Sequence, residues 1–402
     1  MSYFITGGTG FLGRFFLEQL AQREGTIYVL TRDGSEHKFE ALRERHKALG
    51  DRLVPVTGDL TQPNLGLDEA KIAELRGKVS HFCHFAAIYD IAASLEDQQA
   101  ANIDGTRNAV ELAGSLEAGC FHHVSSIAAG GMYHGVFRED MFEEAENYSH
   151  PYFLTKHDSE GIVRKECQVP WRVYRPAMVV GHSETGEIDK VDGVYYFFKS
   201  LQKLRSALPP WIPLVGLEGG KFNIVPVDYV VRAMDHIAHL PDLDGECFHL
   251  TDPEHYSMGE VVNIFAHAGH TPQFSMRIDS RMFGFIPAVV RDTLANLPPI
   301  KRIVRTMLND MGLPESVLMF VNYPTRYDNR ETERALKGTG IACPPLRDYA
   351  PALWDYWERN LDPDLHMDRS LEGNVRDKIV LITGASSGIG KTTALRLADA
   401  GA

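Results

Sequence analysis

Near its N-terminus the chain runs Tyr3-Phe4-Ile5-Thr6 directly into Gly7-Gly8-Thr9-Gly10-Phe11-Leu12-Gly13, and then into an amphipathic stretch over Leu12–Arg23. A β-rich run, a glycine loop and a helix in that order leave few folds open. The N-terminus of a helix carries unpaired backbone N–H groups and the positive end of the dipole, so it favours an anion. Gly7 permits the tight turn, Gly10 lets the backbone approach a pyrophosphate, and Gly13 lets the helix pack close to the strand. The spacing is G-x-x-G-x-x-G, not the G-x-G-x-x-G of the commonest dinucleotide loops. Gly7, Thr9, Gly10, Phe11, Leu12 and Gly13 are therefore predicted to cradle a dinucleotide.

The rhythm of the next 170 residues agrees with that start. Strands are predicted at Tyr3–Thr6, Thr26–Thr31, Leu53–Thr57, Val79–Phe85, Cys120–Ser125 and Trp171–Tyr174. Helical patterns lie between them at Leu12–Arg23, Phe39–Leu49, Ala100–Ser115 and Tyr152–Cys167. Alternation of this kind implies βαβ units, hence an α/β Rossmann fold with a doubly wound parallel sheet. After Tyr174 the rhythm breaks. Residues 182–222 and 250–345 are richer in Pro, aromatics and Met, and are expected to build a smaller substrate lobe. Asn223–Asp228 and Glu246–Leu250 are expected to return to the core, and Trp354–Asn360 to form a closing helix. A polar linker across Asp362–Asp377 then leads to Lys378-Ile379-Val380-Leu381-Ile382-Thr383-Gly384-Ala385-Ser386-Ser387-Gly388-Ile389-Gly390, a second strand and glycine loop opening a helix. One strand and one helix cannot bury a core alone. The expected division is a domain over 1–370 and, over 375–402, the first βα unit of a second one.

Which nicotinamide cofactor fits is decided where the second strand ends. A carboxylate there serves the ribose of NAD, and a cation serves the 2′-phosphate of NADP. The strand exits as Leu30-Thr31-Arg32-Asp33, and Arg32 can pair bidentately with phosphate, so NADPH is expected. Asp33, beside it, is the residue an NAD enzyme would use. Asp59 and Leu60, after the third strand, are placed for the adenine, though Asp59 also suits a helix cap.

Tyr152-Phe153-Leu154-Thr155-Lys156 sets a phenol and an ammonium one above the other on a helix face. A phenol with an unperturbed pKa near 10 needs help to exchange a proton at neutral pH, and a nearby cation favours the phenolate. Lys156 can also hold the nicotinamide ribose. Ser126, just after the fifth strand, can hydrogen-bond a substrate oxygen beside Tyr152, with Ser125 as the alternative one residue away. Ser126, Tyr152 and Lys156 form the predicted catalytic set.

A net charge of -13 argues against nucleic acid as a partner, because phosphate backbones reward Lys and Arg. No apolar run approaches the roughly 18 residues that span a bilayer, and the strand at Tyr3–Thr6 leaves no room for a signal peptide. The five cysteines are scattered without C-x-x-C pairs, so no metal site is expected and a reducing cytoplasm is. His81, Cys83 and His84 share one strand, where period-2 alternation divides them between two faces.

Together, the loop Thr6–Gly13, Asn102-Ile103-Asp104-Gly105-Thr106, Ser126, the Tyr152/Lys156 pair and Arg175-Pro176 resemble the extended short-chain dehydrogenase/reductases, closest to the branch that reduces thioesters and fatty aldehydes. Phe137–Phe142, Gly181–Glu187, Arg281–Phe285 and Trp357–Leu365 look like bacterial two-domain, alcohol-forming fatty acyl-CoA reductases, in which a second short-chain reductase domain follows. The resemblance implies NADPH, with Ala86, Asn102 and Pro176 added to its binding residues, and a long-chain acyl-CoA or fatty aldehyde as substrate. A sugar-nucleotide epimerase or dehydratase using NAD is the alternative enzyme, and an NADP-sensing regulator the alternative of another class. Val194–Phe198, Leu201, Leu204, Leu208 and Trp211 suit a long apolar substrate, as does the segment Met282–Met319. Arg277, Arg281, Arg291, Lys301, Arg302 and Arg305 make that segment locally basic, fit for CoA phosphates or peripheral contact with an anionic membrane. Homo-oligomers stay open.

Overall fold

The computed structural model describes residues 1–89, 94–148, 150–189, 191–279, 323–366 and 370–402. The segment Arg281–Met319, with its predicted basic and apolar residues, lies outside them. By contacts the chain divides into two units, Met1–Trp354 and Asp355–Ala402.

The first unit is built on a parallel seven-stranded sheet. Its strands are β1 (Ser2–Thr6), β2 (Thr26–Thr31), β3 (Leu53–Thr57), β4 (His81–His84), β5 (Cys120–Val124), β6 (Trp171–Pro176) and β7 (Cys247–Leu250). They lie in the order β7-β6-β5-β4-β1-β2-β3, and every pair is parallel. The chain starts in the middle, winds outward through β2 and β3, and then returns to β4 on the other side of β1. This is the doubly wound α/β Rossmann arrangement, and β1/β4 is its switch point, where ligands bind beyond the carboxyl ends of the strands.

Buried on both faces, the central strands read as continuous apolar runs: all five residues of β1 are buried. Alternation sorts them. Tyr3, Ile5 and Cys83 face a cluster with Phe15, Phe16 and Leu20 of helix α1 (Phe11–Leu20) and Val230 and Met234 of the helix Val227–Ala238. Phe4, Phe82 and Phe121 face the opposite cluster. It holds Ala109 and Leu112 of the helix Gly105–Ser115, and Ile162 and Val163 of helix α2 (Pro151–Glu166). The crowding at His81, Cys83 and His84 resolves in the same way. His81 Nδ1 is 3.0 Å from His122 Nε2, and His84 Nδ1 is 2.7 Å from Thr6 Oγ1.

Outside this sheet the chain makes short pairings. Met178–Val180 runs parallel to Ile224–Pro226, and Gly135–Phe137 runs parallel to Thr325–Tyr327. Lys221–Phe222 is antiparallel to Tyr256–Ser257, and Leu214–Glu218 is parallel to Phe274–Asp279. The expected return at Glu246–Leu250 is β7, at the edge of the sheet. The closing helix is longer than its pattern, spanning Leu346–Asn360.

In the second unit the expected strand Lys378–Ile382 does not form, although a helix follows at Gly388–Asp399. A strand needs a partner for its backbone N–H and C=O groups, and Ile379 and Leu381 instead stand exposed. The glycine loop nonetheless repeats the first one locally. Gly384 has φ +73° and Gly7 φ +71°. A Cβ on Gly390 would lie 2.2 Å from Gly384 O, as one on Gly13 would lie 2.3 Å from Gly7 O. Among the described residues, no helix is long and apolar enough to cross a membrane.

Candidate active site

The loop between β1 and α1 is tight because β4 runs on beside it. Phe85 N donates to Thr6 O at 3.1 Å, and a Cβ on Gly7 would come within 2.6 Å of Ala86 N. With its positive φ, Gly7 admits no other residue without strain. Gly10 N donates to Gly7 O at 3.0 Å, and Gly10 caps α1 without a side-chain hydrogen bond. The first N–H groups of α1 therefore have no acceptor from a capping side chain, which is the condition for taking an anion. Gly7, Gly10, Phe11, Leu12, Gly13 and Ala86 line one end of a long cleft, whereas Thr9 is exposed and outside that lining.

Four other predicted cofactor residues also lie outside the lining. Arg32 is 66% exposed, its Nε 3.8 Å from Asp59 Oδ2, so the guanidinium is solvated and barely paired. Asp59 caps no helix. Its carboxylate accepts from Thr61 N and Thr61 Oγ1, both at 2.9 Å, and these bonds hold it below the usual carboxylate range. Leu60 O accepts from Asn108 at 2.7 Å. Asn102 is where the geometry departs from expectation. Its amide is buried and turned onto the chain after β4, accepting from Ile88 N at 2.7 Å and donating to Ile88 O at 2.9 Å. It braces the loop that carries Ala86 and does not reach the cleft itself.

The other wall of the cleft comes from α2 and the end of β5. Pro151 begins α2 at a position where its missing N–H is no loss, and His150 Nδ1 accepts from Tyr152 N at 3.1 Å. This fixed start presents Tyr152 and, one turn on, Lys156 to the cleft, which Pro176 also lines. Ser126 follows β5 in extended backbone, accepts from Ala128 N at 3.2 Å and lines the cleft beside Tyr152, where its hydroxyl favours the phenolate. Ser125 points away, donating to Glu160 Oε2 at 2.8 Å. Ser126 is thus the serine that meets Tyr152.

Burial raises the Tyr152 phenol above its ordinary value, the neighbouring Ser126 hydroxyl opposes this, and the nearby Asp192 carboxylate adds to the rise. Burial therefore outweighs the expected pull towards phenolate. Burial also brings the Lys156 ammonium down to about 8, against the attraction of Glu160. Lys156 Nζ donates to Val124 O at 3.4 Å.

Behind the wall, Glu160 is a group that the sequence did not single out, and it is paired with Arg175, named from sequence only beside Pro176. The Glu160 carboxylate accepts from Arg175 Nε at 2.9 Å and Nη2 at 2.6 Å, and from Arg164 Nε at 2.8 Å. Arg175 also reaches His249 Nε2 at 3.1 Å and Met141 O at 2.9 Å. Glu160 stands four residues after Lys156, the spacing that already joined Tyr152 to Lys156. The signal was a third position on the same helix face.

From Tyr152 the cleft continues between apolar walls that include Ile127, Val179, Tyr196, Phe197 and Phe222, with Asp192, Lys221 and His255 among its polar groups. Of the predicted aromatic stretch, Tyr196 and Phe197 face the cleft, whereas Val194, Tyr195, Phe198 and Leu201 are core and Trp211 is exposed.

Known proteins are similar to this chain in sequence and fold. A non-canonical nonribosomal peptide synthetase of Aspergillus hancockii is 29% identical over 85% of this chain and 34% of its own length. A putative fatty acyl-CoA reductase of Drosophila melanogaster is 27% identical over 57% of this chain and 50% of its own. The chain thus spans half or less of the length of either relative. The terminal R domain of the myxalamid PKS-NRPS pathway, a solved structure, superposes with a TM-score of 0.69 at 26% identity, covering 89% of this chain and 90% of that one. The model of the NAD-binding family described as male sterility protein matches residues 5–234, from the first strand through α2 to the helix after the second lobe pairing, and the chain belongs to that family.

Proposed function

We propose that this chain is an NADPH-dependent reductase of long-chain fatty acyl thioesters or fatty aldehydes, contributing to fatty alcohol formation. The observation that carries the reading is one continuous cleft. It joins the glycine loop to Ser126, Tyr152 and Lys156, and then to an apolar stretch. The loop suits the cofactor: Gly7 holds a conformation closed to other residues, and α1 begins without a capping side chain. Gly7, Gly10 and Gly13 would hold the pyrophosphate, Arg32 the 2′-phosphate, and Lys156 the nicotinamide ribose. When bound, reduced nicotinamide supplies a hydride to a carbonyl carbon. Ser126 orients the carbonyl oxygen, and the Tyr152 phenol, kept protonated by its burial, donates its proton as that oxygen becomes negative. We assign the aldehyde step to this chain's cleft. Residues 375–402 we read as the opening glycine loop and helix of a second domain, on the strength of the repeated loop geometry at Gly384–Gly390.

The test is NADPH oxidation by the full chain with long-chain aldehydes, the matching acyl-CoAs and nucleotide sugars. Aldehyde consumption should exceed release of free CoA. Turnover of nucleotide sugars alone would replace the reading with that of an epimerase or dehydratase.

Two further results are expected. Arg32→Ala should raise the Michaelis constant for NADPH tens-fold, since a charged hydrogen bond contributes about 2 kcal/mol, and leave that for NADH nearly unchanged. An unaltered ratio of the two would remove Arg32 from the 2′-phosphate. Catalytic efficiency should climb about fourfold per added methylene before it levels off, because each buried CH2 contributes roughly 0.8 kcal/mol. A flat profile from short to long aldehydes would make the apolar wall ordinary core.

A further inference from the structure

We propose that Glu160 is the positioning residue of the cleft, keeping the Ser125–Ser126 strand end in register with Tyr152 and supplying a buried carboxylate one helical turn from Lys156. The inference rests on the reading of Lys156 as a working residue of the cleft.

Glu160 and Lys156 stand one turn apart on α2, so their side chains share a face. The carboxylate is completely buried and immobilised by three donors: Arg175 from β6, Arg164 from the next turn of α2, and Ser125 from the end of β5. A structural ion pair needs only Arg175. The Ser125 bond does something else. It fastens the residue before Ser126, and Ser126 lines the cleft beside the Tyr152 phenol. Lys156 meets the same strand end through Val124 O. Glu160 therefore braces the strand that carries Ser126 and the helix that carries Tyr152 and Lys156.

The charges around Lys156 leave this role to Glu160. From β4 it is faced by His84 and from β5 by His123, and burial holds both imidazoles neutral. Neither supplies an anion. Glu160 is the carboxylate that opposes the fall of the Lys156 pKa, which burial has brought to about 8. Without it the ammonium would lose its proton more readily and would no longer be a cation for ribose at neutral pH.

The experiment compares wild type, Glu160→Gln and Glu160→Asp, each checked for folding by circular dichroism. The pH dependence of Lys156 acylation, read by mass spectrometry of its peptide without cofactor, follows the ammonium independently of activity. In Glu160→Gln the titration should move down by about one unit or more, and Glu160→Asp, which keeps the charge, should restore most of it. The alkaline limb of kcat/KM should move down with it, so activity lost near neutrality returns at lower pH. A purely structural role would depress activity at every pH without moving either titration, and that result overturns the proposal. Should Glu160→Gln not fold, Ser125→Ala carries the test, since it removes one hydrogen bond and no ion pair. It should lower kcat several-fold with the Michaelis constant for NADPH unchanged, and an unchanged kcat is the contrary result. Full turnover by Lys156→Ala would remove the reading on which the proposal rests, whereas an unmoved Lys156 titration in Glu160→Gln removes the proposal alone.

Discussion

Replacing Tyr152 by Phe is expected to lower kcat by about 10²–10⁴, the usual contribution of a positioned proton donor, while leaving NADPH affinity nearly intact. The ring keeps its place and its packing; only the hydroxyl is lost, and with it the proton for the developing alkoxide. The direction of the phenol's shift supports the assignment. A reductase needs its acid protonated, and burial together with Asp192 raises the phenol above its ordinary value. Tyr152 therefore stays protonated through the working range, and the loss of activity at alkaline pH belongs to Lys156, which titrates at about 8. Lys156→Ala should weaken cofactor binding as well as turnover, because the proposed role of the ammonium is to hold the nicotinamide ribose. Steady-state kinetics and fluorescence titration of NADPH on each variant separate the two effects. A Tyr152→Phe protein with normal turnover would end the proposed mechanism.

What could be read from the sequence was local and periodic. The strands Thr26–Thr31 and Leu53–Thr57 have the expected bounds, and the others differ at their ends by a few residues. A β-rich run between turn signals has few alternatives in a βαβ series. The glycine loop was legible because a positive φ and two close backbone approaches leave only glycine at Gly7 and Gly13. Ser126 was separable from Ser125 only in three dimensions, where the neighbour's hydroxyl is taken by Glu160. The Glu160–Arg175 pair joins a helix to a strand, and no periodicity announces which carboxylate an arginine fifteen residues on will meet. For Asn102 the sequence does not specify the role, because an amide that braces a loop and one that binds a ligand look the same in sequence. The pairing of Gly135–Phe137 with Thr325–Tyr327 spans too much chain for any local pattern to predict it. Lys378–Ile382 reads as a strand and is none, since strand propensity without a partner strand leaves backbone groups to water.

Acidification is expected to unfold the first unit well before its carboxylates are all protonated. His81, His84 and His249 are each brought down to about 3 by burial, with His239, Lys156 and Arg175 as the next cause in turn. His122 and His123 are also pushed well below the ordinary range by burial and by neighbouring imidazoles. In the unfolded chain each imidazole titrates near 6.5. Between that value and about 3 the unfolded chain therefore binds protons that the folded chain refuses, so stability falls with pH. The slope is about 1.4 kcal/mol per pH unit for each such histidine, or about 2 kcal/mol apiece at pH 5. Two carboxyls work the other way. Burial raises Glu139 to about 7 and Asp252 to about 6, so each binds its proton more readily when folded and gains stability as pH falls. Five histidines outweigh two carboxyls, and the balance at pH 5 is several kcal/mol out of a typical total of about 5–15. Below about pH 4.5 the Glu160–Arg175 pair adds to the loss, because its carboxylate is held far below the usual range and must then be protonated in the unfolded chain first. Thermal melts at constant ionic strength should show the midpoint of the first unit falling by on the order of 10 °C from pH 7 to pH 5. A midpoint that held steady or rose over that interval would mean that the buried imidazoles find their protons inside the fold.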